Sequence, residues 1–219
     1  MTHFADEPRV PVIDMSPFEV GNPWREHVAA QVDWAAAEFG IFRVVQHGID
    51  SSLIDSFGSL SRRFLTRDGA RARLPGFRDV VRDYSREVKG LAHRLMTSFA
   101  RGLRLGDTYF VDRYTGDASS KLEIDCGSSD SAAQTGSLLT LLHHDEHAKL
   151  EVRHGDRTID VPYIPGALIC AVGERLERLS GRRYTRARYR LRGAAGRAAP
   201  AMPFHFGTDL SALESVRAA

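Results

Sequence analysis

From residue 106 onward the chain breaks into short apolar runs separated by turns, and this pattern restricts the fold more than any other feature. The runs cover residues 121–125, 138–143, 150–153, 158–161, 167–172, 186–191 and 202–206. Each is too short for a helix. Many short strands joined by turns predict a sandwich or barrel. The first 105 residues follow a different period. Residues 26–39 place Val28, Val32, Ala35 and Phe39 on one helical stripe, and Gly40 ends it. Residues 41–45 read as a strand, and residues 51–64 as a second helix. In the longest helix Phe77, Val81, Tyr84, Val88, Leu91, Leu95 and Phe99 recur every three or four residues. That stripe predicts a helix packed on a sheet.

The expected fold class is therefore α+β, with a helical N-terminal part over residues 1–105, a β-rich core over 106–206 and a tail over 207–219. Residues 66–76, 127–136 and 193–201 are rich in small, polar or turn-forming residues and read as loops. A length of 219 residues suffices for one domain with a substantial core.

Composition narrows the class further. A net charge of +2 with scattered Arg argues against nucleic acid as the partner. The two Cys lack paired-ligand spacing and are expected to be reduced thiols. No apolar run approaches a membrane span, and the N-terminus has neither a basic region nor an apolar signal core. A cytoplasmic protein acting on a small molecule is the expectation, and a homodimer that covers an open side is compatible with it.

Particular residues support a family resemblance. Val10-Pro-Val-Ile-Asp14 leads to Phe39-Gly-Ile-Phe-Arg-Val-Val-Gln-His-Gly48. Then follow Leu138 to Asp145, Leu150-Glu-Val152, Pro165-Gly-Ala167 and Val172-Gly-Glu174. In this order and spacing the chain resembles the 2-oxoglutarate/iron(II)-dependent dioxygenases of the isopenicillin N synthase-like group. The resemblance implies a double-stranded β-helix, or jelly roll, backed by N-terminal helices. It also implies iron(II) and 2-oxoglutarate as cofactors.

The implied ligand positions depart from that pattern. The His-x-Asp pair reads Ala133 and Thr135, and the later His reads Tyr189. The Arg-x-Ser clamp for 2-oxoglutarate reads Arg197-Ala-Ala199, and a Tyr that helps hold it reads Asp125. Ala offers no lone pair and Thr is a poor iron ligand. The expectation drawn here is a metal site of none and cofactors of none.

Strand alternation puts Lys121, Glu123 and Asp125 on one face. With Tyr189 they make a candidate acid–base set. Thr135, Leu139, Leu141 and Arg197 are the candidate substrate-binding residues. Such equipment suits a metal-independent, redox-neutral lyase, isomerase or cyclase. Two alternatives stay open: a non-catalytic pseudo-oxygenase that binds or scaffolds, and an iron/2-oxoglutarate oxygenase in which Asp125, Glu123 and one His form a rearranged ligand set. The cluster His143-His-Asp-Glu-His147 reads as a solvated hairpin, and His205 as a satisfied core or edge His.

Overall fold

The computed structural model describes residues 9–65, 74–116, 119–127, 130–132, 136–143, 146–193 and 199–207; side chains are described for these except at 125–127, 130–132 and 199–200. Its first half holds β1 (Val12–Asp14), α1 (Arg25–Glu38), β2 (Ile41–Val45), α2 (Ser51–Phe64) and α3 (Phe77–Gly102). Its second half holds β3 (Ser120–Leu122), β4 (Asp125–Gly127), β5 (Asp130–Ala132), β6 (Ser137–His143), β7 (Ala148–His154) and β8 (Arg157–Val161). These are followed by β9 (Leu168–Val172), α4 (Glu174–Leu179), β10 (Arg188–Gly193) and β11 (Ala199–Gly207). The α+β jelly-roll expectation holds. Two sheets face each other, one ordered β1-β2-β9-β6-β11-β3 with β4 also on β11, the other β5-β10-β7-β8. The N-terminal part is not purely helical, because β1 and β2 extend the larger sheet.

The larger sheet is apolar on both faces, each for its own reason. Its outer side carries Leu139, Leu141, Cys170, Val172, Phe204 and Phe206 against the helices. Helix α3 answers with Tyr84, Val88, Leu91, Leu95 and Phe99, the stripe that the sequence predicts. Phe57 of α2 stacks on Tyr84 with ring centroids 3.8 Å apart. Each large side chain buried in this way contributes roughly 1.5–3 kcal/mol. Its inner side carries Leu142, Ile169 and Ala171 against Leu150, Val152, Tyr189 and Leu191 of the smaller sheet. Successive residues thus serve opposite cores, as the pleat requires.

Local sequence sets the joints. At Gly40 the φ is +67°, and a Cβ there would lie 2.1 Å from the Thr185 carbonyl oxygen, so only Gly can turn α1 into β2 at this point. Phe39 leaves the stripe of α1 and stacks on His154 in the inner core, centroids 4.8 Å apart. Asp33 of α1 accepts hydrogen bonds from Tyr184 Oη and Arg183 Nε, both at 2.9 Å, which ties α1 to the segment after α4. Residues 66–73 of the expected loop lie outside the described residues. On either side of it Phe64 and Phe77 meet with centroids 5.1 Å apart. No helix among the described residues is long and apolar enough to cross a membrane.

Candidate active site

One row of the larger sheet runs across five strands on its inner side. Register pairs Ile41 with Ala171, Ala171 with Thr140, Thr140 with His205, and His205 with Lys121. The row is apolar at its β2 end and polar at its β3 end. Pleat parity explains the polarity of β11: Phe204 and Phe206 point to the helices, so His205 between them points inward.

His205 is 8% exposed and organises the cluster. Its Nδ1 lies 3.0 Å from Thr140 Oγ1, and its Nε2 lies 3.5 Å from Glu123 Oε2. Glu123 Oε1 in turn lies 2.5 Å from Lys121 Nζ. The Lys121 hydrogen bond is the main force holding the Glu123 carboxyl below its ordinary range, with help from His205. Burial pulls the His205 imidazole down and favours its neutral form, although Glu123 opposes this. Tyr189 faces the cluster from the smaller sheet. Burial first, and the Glu123 charge second, push its hydroxyl up to about 12, so it keeps its proton at neutral pH.

The candidate residues fall out unevenly. Lys121 and Glu123 share the inner side, as parity predicts, while Leu122 and Ile124 pack toward the helices. Lys121 sits at the rim with its side chain 66% exposed. The expected strand 121–125 is interrupted, since β11 presents Pro203 opposite Glu123 and Pro has no N–H to donate. Register resumes with Asp125 opposite Ala201, an inner-core residue. The side chain of Asp125 lies outside the described residues, as do Ala133, Thr135 and Arg197 altogether. Two expected substrate-binding residues need correction. Leu139 and Leu141 pack against the helices, and Thr140 and Leu142 are the residues of β6 that face inward. A strand offset of one residue reverses the face.

The solvated-hairpin reading of residues 143–147 also changes. His143 is 7% exposed and packs on α2, where a Cβ on Gly58 would lie 2.7 Å from its Nε2. His147 is exposed, 3.7 Å from Glu146, and residues 144–145 lie outside the described residues. His205 and Thr140 are the functional candidates that sequence reasoning missed. Alternation within Phe204-His-Phe206 signals where His205 points, but its partners lie on distant strands.

Comparison with known proteins points in one direction. Residues 10–69 match the N-terminal family model of non-haem dioxygenases described for morphine synthesis, and residues 125–198 match the model of the 2OG-Fe(II) oxygenase superfamily. Over these two stretches the chain is similar to non-haem dioxygenases and to the 2OG-Fe(II) oxygenase superfamily. A 1-aminocyclopropane-1-carboxylate oxidase of Dictyostelium mucoroides is 19% identical over 95% of this chain and 84% of its own length. A flavonol synthase/flavanone 3-hydroxylase of Arabidopsis thaliana is 27% identical over 81% of this chain and 69% of its own. Among solved structures, a full-length Neurospora crassa protein in complex with alpha-KG has a TM-score of 0.75 at 16% identity, covering 91% of this chain and 84% of that one. JOX2 in complex with 2OG, Fe and JA has a TM-score of 0.73 at 18% identity, covering 92% and 75%.

These similar proteins overturn the expectation of a metal-independent, redox-neutral lyase, isomerase or cyclase without cofactors. They are oxidases and hydroxylases, and the structural neighbours hold alpha-KG or 2OG and Fe. The pseudo-oxygenase alternative falls with it. The expectation counted donors only at the positions implied by resemblance. It did not pair Glu123 with His205, which β11 brings beside it on the inner wall.

Proposed function

We propose that this protein is an iron(II)- and 2-oxoglutarate-dependent oxygenase of a small organic molecule, with Glu123 and His205 in a rearranged ligand set. The observation that carries this reading is one carboxylate and one imidazole 3.5 Å apart on the inner wall of a superfamily barrel. Iron(II) in such sites takes imidazole and carboxylate donors and keeps open positions for its co-reactants. Sequence supports a rearrangement, because Ala133, Thr135 and Tyr189 stand where donors are implied. Among the described residues no group of three or more His, Cys, Asp or Glu assembles. Glu123 and His205 supply two donors, and Asp125, two residues beyond Glu123 and paired in register with Ala201, is the candidate for the third.

With 2-oxoglutarate, a bound iron(II) would supply the oxygen activation and oxidising power for the substrate. The chain's own groups prepare the site. Burial keeps His205 neutral, which is the form that can ligate. Thr140 engages the other ring nitrogen and orients the imidazole. Lys121 holds Glu123 ionised and adds positive charge at the rim, where an anionic co-substrate would enter. Tyr189 remains a phenol and can donate a hydrogen bond to a polar group of the substrate. Leu142, Ala171, Val152 and Leu191 exclude water from that wall. Thr135 and Arg197 remain candidate contacts on the resemblance.

Iron-dependent consumption of 2-oxoglutarate by the purified protein tests this reading. The expected result is consumption that needs added iron(II) and is lost in both Glu123→Gln and Asp125→Asn. Consumption unchanged in both variants would overturn the assigned ligand set.

A further inference from the structure

At the opposite edge of the inner side, where β2 approaches β8 of the other sheet, lies a cavity of about 1030 Å³. Its wall includes Arg9, Arg43, Arg157, Thr158, Asp160 and Pro162. Arg43 is 9% exposed. Its two terminal amino groups donate to the Val10 carbonyl at 2.7 Å and the Pro162 carbonyl at 3.3 Å. Its Nε is buried without a partner. No carboxylate pairs with this guanidinium among the described residues. Asp160 shares the cavity, yet its charge is matched by Lys149 at 3.0 Å. The exposed side chains of Arg9 and Arg157 also lack a described ion pair, so positive charge dominates the space.

Neutral carbonyls satisfy hydrogen bonds but leave the charge of Arg43 uncompensated. A buried charge without a counter-charge is costly, and a guanidinium does not escape the cost by losing its proton. Burial does pull the Arg43 guanidinium down from its ordinary range. An anion seated between the arginines would relieve the cost, and planar guanidinium forks match carboxylate and phosphate oxygens. The volume admits more than a bare ion, being that of a small-molecule pocket.

We propose that this cavity is a second binding site, separate from the Glu123–His205 wall, for a small organic anion carrying a multivalent carboxylate or phosphate group. Arg43 supplies the fixed buried charge, and Arg9 and Arg157 close on the ligand from the exposed side. Loading would tie β1, β2 and β8 together across the seam of the two sheets.

Calorimetric titrations with sodium citrate and with inorganic phosphate, each at roughly physiological ionic strength, test the site. Citrate bound more tightly assigns a carboxylate ligand; phosphate bound more tightly assigns a phosphate ligand. Saturable binding is expected in the full-length protein. It should weaken at least tenfold in the double variant Arg9→Gln/Arg157→Gln, whose exposed positions leave folding intact. Lys121→Gln, which removes the cation of the other wall, and Arg82→Gln, an exposed charge removal on α3, should bind as the unaltered protein does. Absence of saturable binding by either anion would overturn the proposal. Equal weakening in Arg82→Gln would do so too, since net charge alone would then explain the binding. Loss in Lys121→Gln would place the anion at the other wall and contradict a separate site.

Discussion

Phe204 and His205 are neighbours in one strand and belong to different regions of the molecule. Phe204 enters the helix-backed core, where Phe206, Leu139, Leu141 and the stripe of α3 surround it. His205 enters the space between the sheets and meets Thr140, Glu123 and, through Glu123, Lys121. The outer side is redundant in its chemistry, since any well-shaped apolar set would fill it. The inner side is not, because each polar group there has one partner geometry. Stability and chemistry are thereby assigned to opposite faces of a single sheet, separated by one residue of sequence.

Substitution along β11 and its neighbours can break that division. Phe204→Ala should cost about 3–5 kcal/mol in denaturant unfolding, the usual range for a large core truncation. A cost below about 1 kcal/mol would mean that the helix-backed core does not carry the fold. Glu123→Gln, on a partly exposed side chain, should leave unfolding nearly unchanged and reduce iron-dependent turnover about 100-fold. Comparable losses of stability and turnover would erase the contrast between the faces. Thr140→Val removes the group that orients His205 and should weaken iron(II) binding about tenfold, read by calorimetry.

The smallest effect concerns the polar joint after β2. His47 is buried; its Nδ1 accepts from Ile49 N–H at 3.2 Å, and its Nε2–H donates to the Gly166 carbonyl at 2.8 Å. Burial, aided by Arg94, pulls its imidazole down, while the Gly166 bond opposes the shift. The folded state therefore resists a proton that the unfolded chain accepts near pH ~6.5. Stability should be full above that pH and fall as pH drops below it, toward the lower folded value. Melting temperatures between pH 7 and 5 should show this fall, and His47→Gln should flatten it. An equal slope in the variant would assign the effect to another group.

The inner side offers a second contrast, between its two edges. At the β3 edge Lys121 and His205 each lie within ion-pairing range of Glu123. At the β2 edge Arg43 is met, among the described residues, by carbonyl oxygens and no carboxylate. One edge carries its own counter-charges, and the other requires one from outside.

Much of this was legible in the sequence. The stripe from Phe77 to Phe99 names one face of α3, and the residue types of 41–45 and 138–143 give strands at their observed places. Parity alone also puts Lys121 and Glu123 together. What parity cannot supply is register between distant strands. Thr140 and His205 are 65 residues apart and meet only because β6 lies beside β11. The same ignorance of which side β6 turns inward assigned Leu139 and Leu141 to the wrong core. Phe39 escaped its helical stripe because Gly40 breaks the chain immediately after it. Chemistry was misjudged for a related reason: donor positions were compared along the chain, whereas the imidazole and carboxylate assemble across it.

Iron content of the purified protein, reconstituted anaerobically with iron(II) and 2-oxoglutarate, tests the central claim most directly. The account predicts stoichiometric iron in the unaltered protein and its loss in the double variant Glu123→Gln/His205→Gln. Iron absent from the unaltered protein, or retained undiminished by the double variant, would contradict it.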